Sequence, residues 1–142
     1  SPYTAKIKRV RHYENKQKEN QMEYSDSLKK NNEFQRVYRK GTSQANRYLV
    51  MYVLENHDRH MENRLGISVS KKVGNSVVRH RVTRLIRESY RLNERSFRQG
   101  LDIVVVARPN AKDKSYQEIE SALMHLAGRM KIRREAELHV ED

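Results

Sequence analysis

Apolar residues recur along this chain in blocks with two distinct periods. Between Asn32 and Lys40 they fall at Phe34, Val37 and Tyr38, a spacing that predicts a helix. Asn31 stands ready to cap it and Gly41 to stop it in a left-handed conformation. Phe34 and Tyr38 are four apart, so a helix sets their rings side by side. RYLVMYVLE (Arg47 to Glu55) reads as a strand, with Tyr48, Val50, Tyr52 and Leu54 on one face and Leu49, Met51 and Val53 on the other. Both faces are apolar, so each needs packing or a ligand. After a polar connection from Asn56 to Asn63, RLGISVS (Arg64 to Ser70) alternates Leu65, Ile67 and Val69 with Gly66, Ser68 and Ser70. That small second face suits either the floor of a groove for a flat ligand or a closely packed helix. LDIVVVAR (Leu101 to Arg108) is almost wholly apolar, as the centre of a sheet requires, and Pro109 ends it. Ser115-Tyr116-Gln117-Glu118 fits a capping box, and Ile119, Ala122, Leu123, Leu126 and Met130 form a core stripe behind it.

The block between the second and third strands has a different character. Lys71 to Arg91 carries seven cations, Lys71, Lys72, Arg79, Arg81, Arg84, Arg87 and Arg91, against Glu88. Gly74-Asn75-Ser76 can start a helix, predicted from about Ser76 to Leu92. At 100° per residue Val78, Val82, Leu85 and Ile86 share one sector, while His80, Arg84, Arg87 and Arg91 lie opposite. Solvated helix faces usually mix signs, because like charges at i, i+4 repel. A polyanionic partner would relieve that repulsion.

The order helix-strand-strand-helix-strand-helix predicts an α/β (α+β) two-layer sandwich with a mixed central sheet. The 142 residues are enough for one domain with a real core. We expect it to span residues 25–132, after a basic, disordered extension over 1–24 and before a frayed tail over 133–142. Thirty Lys and Arg against 18 Asp and Glu leave a net charge of +12, which favours polyanionic partners. The chain has no cysteine, so disulfide and thiolate chemistry are excluded. No apolar run approaches the roughly 18 residues of a transmembrane helix, and the first residues lack a signal peptide's apolar stretch. A cytoplasmic protein with no membrane partner is expected.

The sequence argues against catalysis by the chain alone. His57 and His60 are three apart in a polar loop without a further ligand, and we expect no metal site. No P-loop, no G-x-G-x-x-G and no carboxylate pair beside a nucleophile is present. Two binding devices remain: arginines able to grip phosphates in pairs of hydrogen bonds, and Phe34, Tyr38 and Tyr52, which could stack on unpaired bases or simply belong to the core.

The segment K-K-x-G-N-S-V-x-R-H-R-x-x-R-x-x-R-E resembles the signature of the bacterial ribonuclease P protein component, usually Lys-Lys-x-Gly-Asn-Ala-Val-x-Arg-Asn-Arg-x-Lys-Arg-x-x-Arg-Glu. Leu28-Lys29-Lys30, Glu33-Phe34, Gly41, Arg64 to Asn75 and Asp102 to Pro109 resemble further family blocks in the same order, covering about residues 28–131. The resemblance implies the small protein subunit of an RNA enzyme that removes the 5′ leader from precursor tRNA. It places the chemistry and its Mg²⁺ in the catalytic RNA. It implies a left-handed crossover in the fold. Lys71, Lys72, Asn75, Arg79, Arg81, Arg84 and Arg87 match the RNA-facing signature, with His80 and Arg91 on the same helix. Phe34, Tyr38 and Tyr52 match the aromatics of a groove for the single-stranded leader. His80 replaces the usual Asn and Thr83 the usual Lys. The implied partners are ribonuclease P RNA and precursor tRNA, with the protein monomeric inside the complex. A general structured-RNA or ribosome-associated binding protein is the alternative; a lone protein nuclease lacks a site, and a helix-turn-helix lacks its second short helix.

Overall fold

The computed structural model describes residues 22, 24–56 and 62–134. Five strands form one mixed sheet: β1 (Ser25–Ser27), β2 (Thr42–Ala45), β3 (Leu49–Glu55), β4 (Asn63–Ser68) and β5 (Leu101–Ala107), in the order β1-β4-β5-β3-β2. β1, β4 and β5 run parallel; β3 and β2 are antiparallel to their neighbours. Three helices complete the described fold: α1 (Asn31–Lys40), α2 (Ser76–Asn93) and α3 (Tyr116–Arg129). The expected α+β class and mixed sheet are present, with β5 central as its apolar run required. α2 crosses between the parallel neighbours β4 and β5.

The alternation in β3 sets the layers. Leu49, Met51 and Val53 join Ile103 and Val105 of β5 under α2 and α3, with Val82, Ile86 and Tyr90 of α2 and Ile119, Leu123 and Leu126 of α3. On the opposite face Tyr52 and Leu54 meet Val104 and Val106, partly covered by Phe34, Val37 and Tyr38 of α1. The main body is therefore sheet on helix pair, and α1 lies across part of the other face. α3 starts as its capping box predicts: Ser115 Oγ accepts from the Glu118 N–H at 3.2 Å, and Glu118 Oε1 accepts from the Ser115 N–H at 3.2 Å. α2 starts at Asn75, whose Oδ1 accepts from the Val78 N–H at 3.0 Å.

Several local expectations are corrected. The N-cap of α1 is Lys30, not Asn31, because Glu33 Oε1 reaches back to the Lys30 N–H at 3.2 Å. Gly41 is extended, at φ −81° and ψ 171°, not left-handed. Its need for glycine is space: a Cβ there would stand 2.6 Å from the Val37 carbonyl oxygen and 2.7 Å from that of Val53. Strands β1 (SDS) and β2 (TSQA) are additions to the predicted order. Neither carries an apolar period, since each is a short sheet edge held by backbone bonds. The expected frayed tail does not begin at Arg133, which pairs with Phe97 in a β-bridge. Of the other expectations for the ends, residues 1–21 and 135–142 lie outside the described residues, as do His57 and His60.

Candidate nucleic-acid interface

Helix α2 buries Val82, Ile86, Ser89 and Tyr90, which turns its basic positions outward. Val78 and Leu85, predicted for the core face, are half-buried against the same cluster. Ahead of the helix, buried Val73 pins the turn that exposes Lys71 and Lys72. The Val73 N–H donates to the Ser70 carbonyl at 3.0 Å, and the Lys72 N–H to Ser70 Oγ at 3.3 Å. His80, Arg81 and Arg84 are exposed; Arg79, Arg87 and Arg91 are half-buried. His80, Arg81, Arg84 and Arg87 line one cleft together with Leu85 and Glu88.

The polar positions of α2 and its cap divide by partner. Arg91 is paired with Glu88, which itself lines the cleft. Arg81 Nη2 donates to the Lys114 carbonyl at 2.9 Å and ties α2 to the loop before α3. Arg79 Nε is buried without a hydrogen-bond partner among the described residues, a position stabilised by any acceptor that reaches it. Thr83, where the family usually has Lys, turns its hydroxyl to the Arg79 carbonyl at 2.8 Å. Asn75 is occupied as the helix cap, and its role in the local fold is thereby clear.

The aromatic group forms a continuous row on the α1 side of the sheet. Phe34 and Tyr38 have ring centroids 6.4 Å apart; Tyr38 meets Tyr52 edge-on at 4.9 Å and 73°. All three rings are half-buried. Gly66 lies under Phe34, where a Cβ would approach the ring's far carbon to 2.7 Å. Close helix packing therefore explains glycine at 66, while Ser68 stays half-exposed and Ser70 exposed along the same strand face. The row and the cations of α2 belong to opposite sides of the sheet.

One positioning group is absent from the sequence reading. Arg64 spans two carboxylates: Nε and Nη2 donate to Asp102 at 2.9 and 2.6 Å, and Nη1 to Glu33 of α1 at 2.5 Å. Asn56 Nδ2 adds a 2.9 Å bond to Asp102, which is 1% exposed. The hydrogen bond to Asp102 raises the Arg64 pKa, and Arg64 stays charged. Burial pushes the Glu33 carboxyl up, but the Lys30 N–H and the Arg64 charge outweigh it and leave the pKa lowered. The network clamps α1 over the sheet and so sets the spacing of the aromatic row. Its sequence signal was Asp102 between Leu101 and Ile103, a carboxylate that a central strand buries only with a partner. A second network holds β1: Tyr90 Oη lies 2.7 Å from Ser25 Oγ, which donates to buried Glu94 at 3.0 Å.

Among the described residues no group of three or more His, Asp or Glu is placed to hold a metal ion, and no helix is long and apolar enough to cross a membrane. Fold and surface together define a small, basic α+β protein whose charged helix has the chemistry of a polyanion binder. Residues 22–131 match the family model of ribonuclease P. The ribonuclease P protein component of Lachnoclostridium phytofermentans is 64% identical over 108 residues, 76% of this chain and 91% of that one. That of Alkaliphilus metalliredigens is 54% identical over 111 residues, covering 78% and 98%. Among solved structures, the Staphylococcus aureus RNase P protein is 41% identical with a TM-score of 0.70, over 78% of this chain and 99% of that one. The Thermotoga maritima RNase P protein is 28% identical with a TM-score of 0.67, over 73% and 96%. This chain belongs to the ribonuclease P protein component family.

Proposed function

We propose that this protein is the RNA-binding subunit of a bacterial ribonuclease P and assists a catalytic RNA in removing the 5′ leader of precursor tRNA. The observation that carries the reading is the α2 surface: a helix of this family that buries one face and gathers His80, Arg81, Arg84 and Arg87 along a cleft on the other. These cations, with Lys71 and Lys72, lower the electrostatic cost of bringing RNA phosphates together. The protein acts by binding; Mg²⁺ and the hydrolytic step are assigned to the RNA. Phe34, Tyr38 and Tyr52 hold the single-stranded leader by stacking, which is worth roughly 1–3 kcal/mol per base. Mature tRNA lacks the leader, so substrate is favoured over product. Within the complex we assign one protein copy, acting in the cytoplasm.

Reconstitution tests this directly. Precursor tRNA, a cognate ribonuclease P RNA and low Mg²⁺ are combined with and without the protein, beside protein alone. Cleavage that needs both components supports the reading. No effect on the cognate RNA reduces the protein to a general structured-RNA binder, and cleavage by protein alone refutes the assignment of chemistry to RNA.

A further inference from the structure

Beyond the signature helix, a second cationic surface is built where the chain returns past the end of α2. Phe97 and Ile132 are 1% and 2% exposed and anchor two short segments side by side. The Arg98 N–H donates to the Ile132 carbonyl at 2.7 Å and the Arg134 N–H to the Ser96 carbonyl at 2.8 Å. With those apolar residues turned inward, Arg95, Arg98, Arg133 and Arg134 are all exposed on the clasp. Among the described residues two acids stand near this charge. Glu55 lies 3.8 Å from Arg98 and both are well exposed, a pair that water screens. Glu94 is buried and turned to the Tyr24 N–H and the Ser25 hydroxyl.

The clasp also holds an aromatic ring. Arg95 lies 4.9 Å over the Tyr24 ring and donates to its hydroxyl at 2.5 Å. The Tyr24 N–H is fixed to Glu94 at 3.2 Å, yet the residue remains 45% exposed. A cation-backed, partly open ring at one edge of a two-segment clasp that exposes arginines on both of its faces suits phosphates together with an unpaired base. Tyr24, Arg95 and Arg98 lie within the residues that match the family model, while Arg133 and Arg134 lie beyond them; none of the five belongs to the Lys71–Glu88 signature.

We infer that Arg95, Arg98, Arg133, Arg134 and Tyr24 form a second contact for the catalytic RNA, at the opposite end of α2 from Lys71 and Lys72. The inference rests on the proposed function, because it extends the RNA footprint along the same helix. An 18-residue helix is about 27 Å long, so the two ends reach separate stretches of one folded RNA.

The test is binding of the full chain to ribonuclease P RNA across a salt series, with thermal melting as the check on folding. Arg98→Gln/Arg133→Gln/Arg134→Gln should weaken binding roughly 100-fold at about 0.15 M salt and reduce the salt slope by about 2.7. Arg133→Gln alone, which keeps the main-chain bridge, should reduce the slope by about 0.9 even if the triple variant melts early. Tyr24→Leu should weaken binding at least about fivefold with the slope unchanged. Unchanged affinity and slope in both arginine variants, while Arg84→Ala/Arg87→Ala still weakens binding, would overturn the second contact and leave the proposed function standing. Loss confined to precursor tRNA also overturns the assignment to the catalytic RNA. If Arg84→Ala/Arg87→Ala has no effect either, the parent reading itself fails.

Discussion

Tyr52 is a core side chain to which the proposed function gives a second role. Its ring meets Tyr38 at 4.9 Å within the smaller apolar cluster, and it remains half-exposed. Truncation to Ala should weaken binding of precursor tRNA about 10-fold or more while leaving mature tRNA nearly unchanged, since only the precursor presents bases to stack. Equal losses in a side-by-side titration would remove the leader role. Gly41 tests a different constraint. Gly41→Ala places a methyl within 2.7 Å of two backbone oxygens, which cannot swing aside as a side chain can. A loss of about 1–3 kcal/mol is expected by denaturant unfolding, from overpacking and not from lost left-handed freedom. The sequence marked Gly41 as special but misread the reason, because the carbonyl of Val53 approaches it from twelve residues along the chain.

Secondary elements carry the next level of prediction. α1 is held to the sheet by Arg64 between Glu33 and Asp102 as well as by Val37 and Phe34. Arg64→Met leaves Asp102, 1% exposed, without its charged partner, and should cost about 3–5 kcal/mol of stability. It should also loosen the aromatic row, so precursor affinity falls even at temperatures where the variant stays folded. Where an element has an apolar face its extent was legible: α2 and α3 lie within one or two residues of expectation. β1 and β2 were not legible, because Ser-Asp-Ser and Thr-Ser-Gln-Ala form strands only beside β4 and β3, and nothing in their own side chains requires it.

At the scale of the molecule, charge dominates. If about six phosphates are neutralised, the slope of log affinity against log salt should be near −5, and a flat response would contradict the electrostatic account. Stability should respond to pH through carboxylates. Glu33, Glu118 and Glu120 all have pKa values lowered from 4.5 in the folded protein. Groups depressed in this way contribute stability above the unfolded pKa and lose it as pH falls through the folded one. Thermal melting followed by circular dichroism should therefore be level above about pH 5 and decline below about pH 4.5. An increase in melting temperature on acidification would refute that sign.

Sequence alone determined the local elements that have an apolar stripe, the cationic face of α2 and the family signature, because period, charge and motif are properties of neighbouring residues. Tertiary structure decided that Phe34, Tyr38 and Tyr52 make one row, which needs α1 laid on β3. It decided that Arg64 joins Glu33 to Asp102 and that Arg133 is paired instead of frayed. Each of these joins residues between about 14 and 38 positions apart, and such contacts form only when burial of a shared core outweighs the entropy of closing the intervening chain.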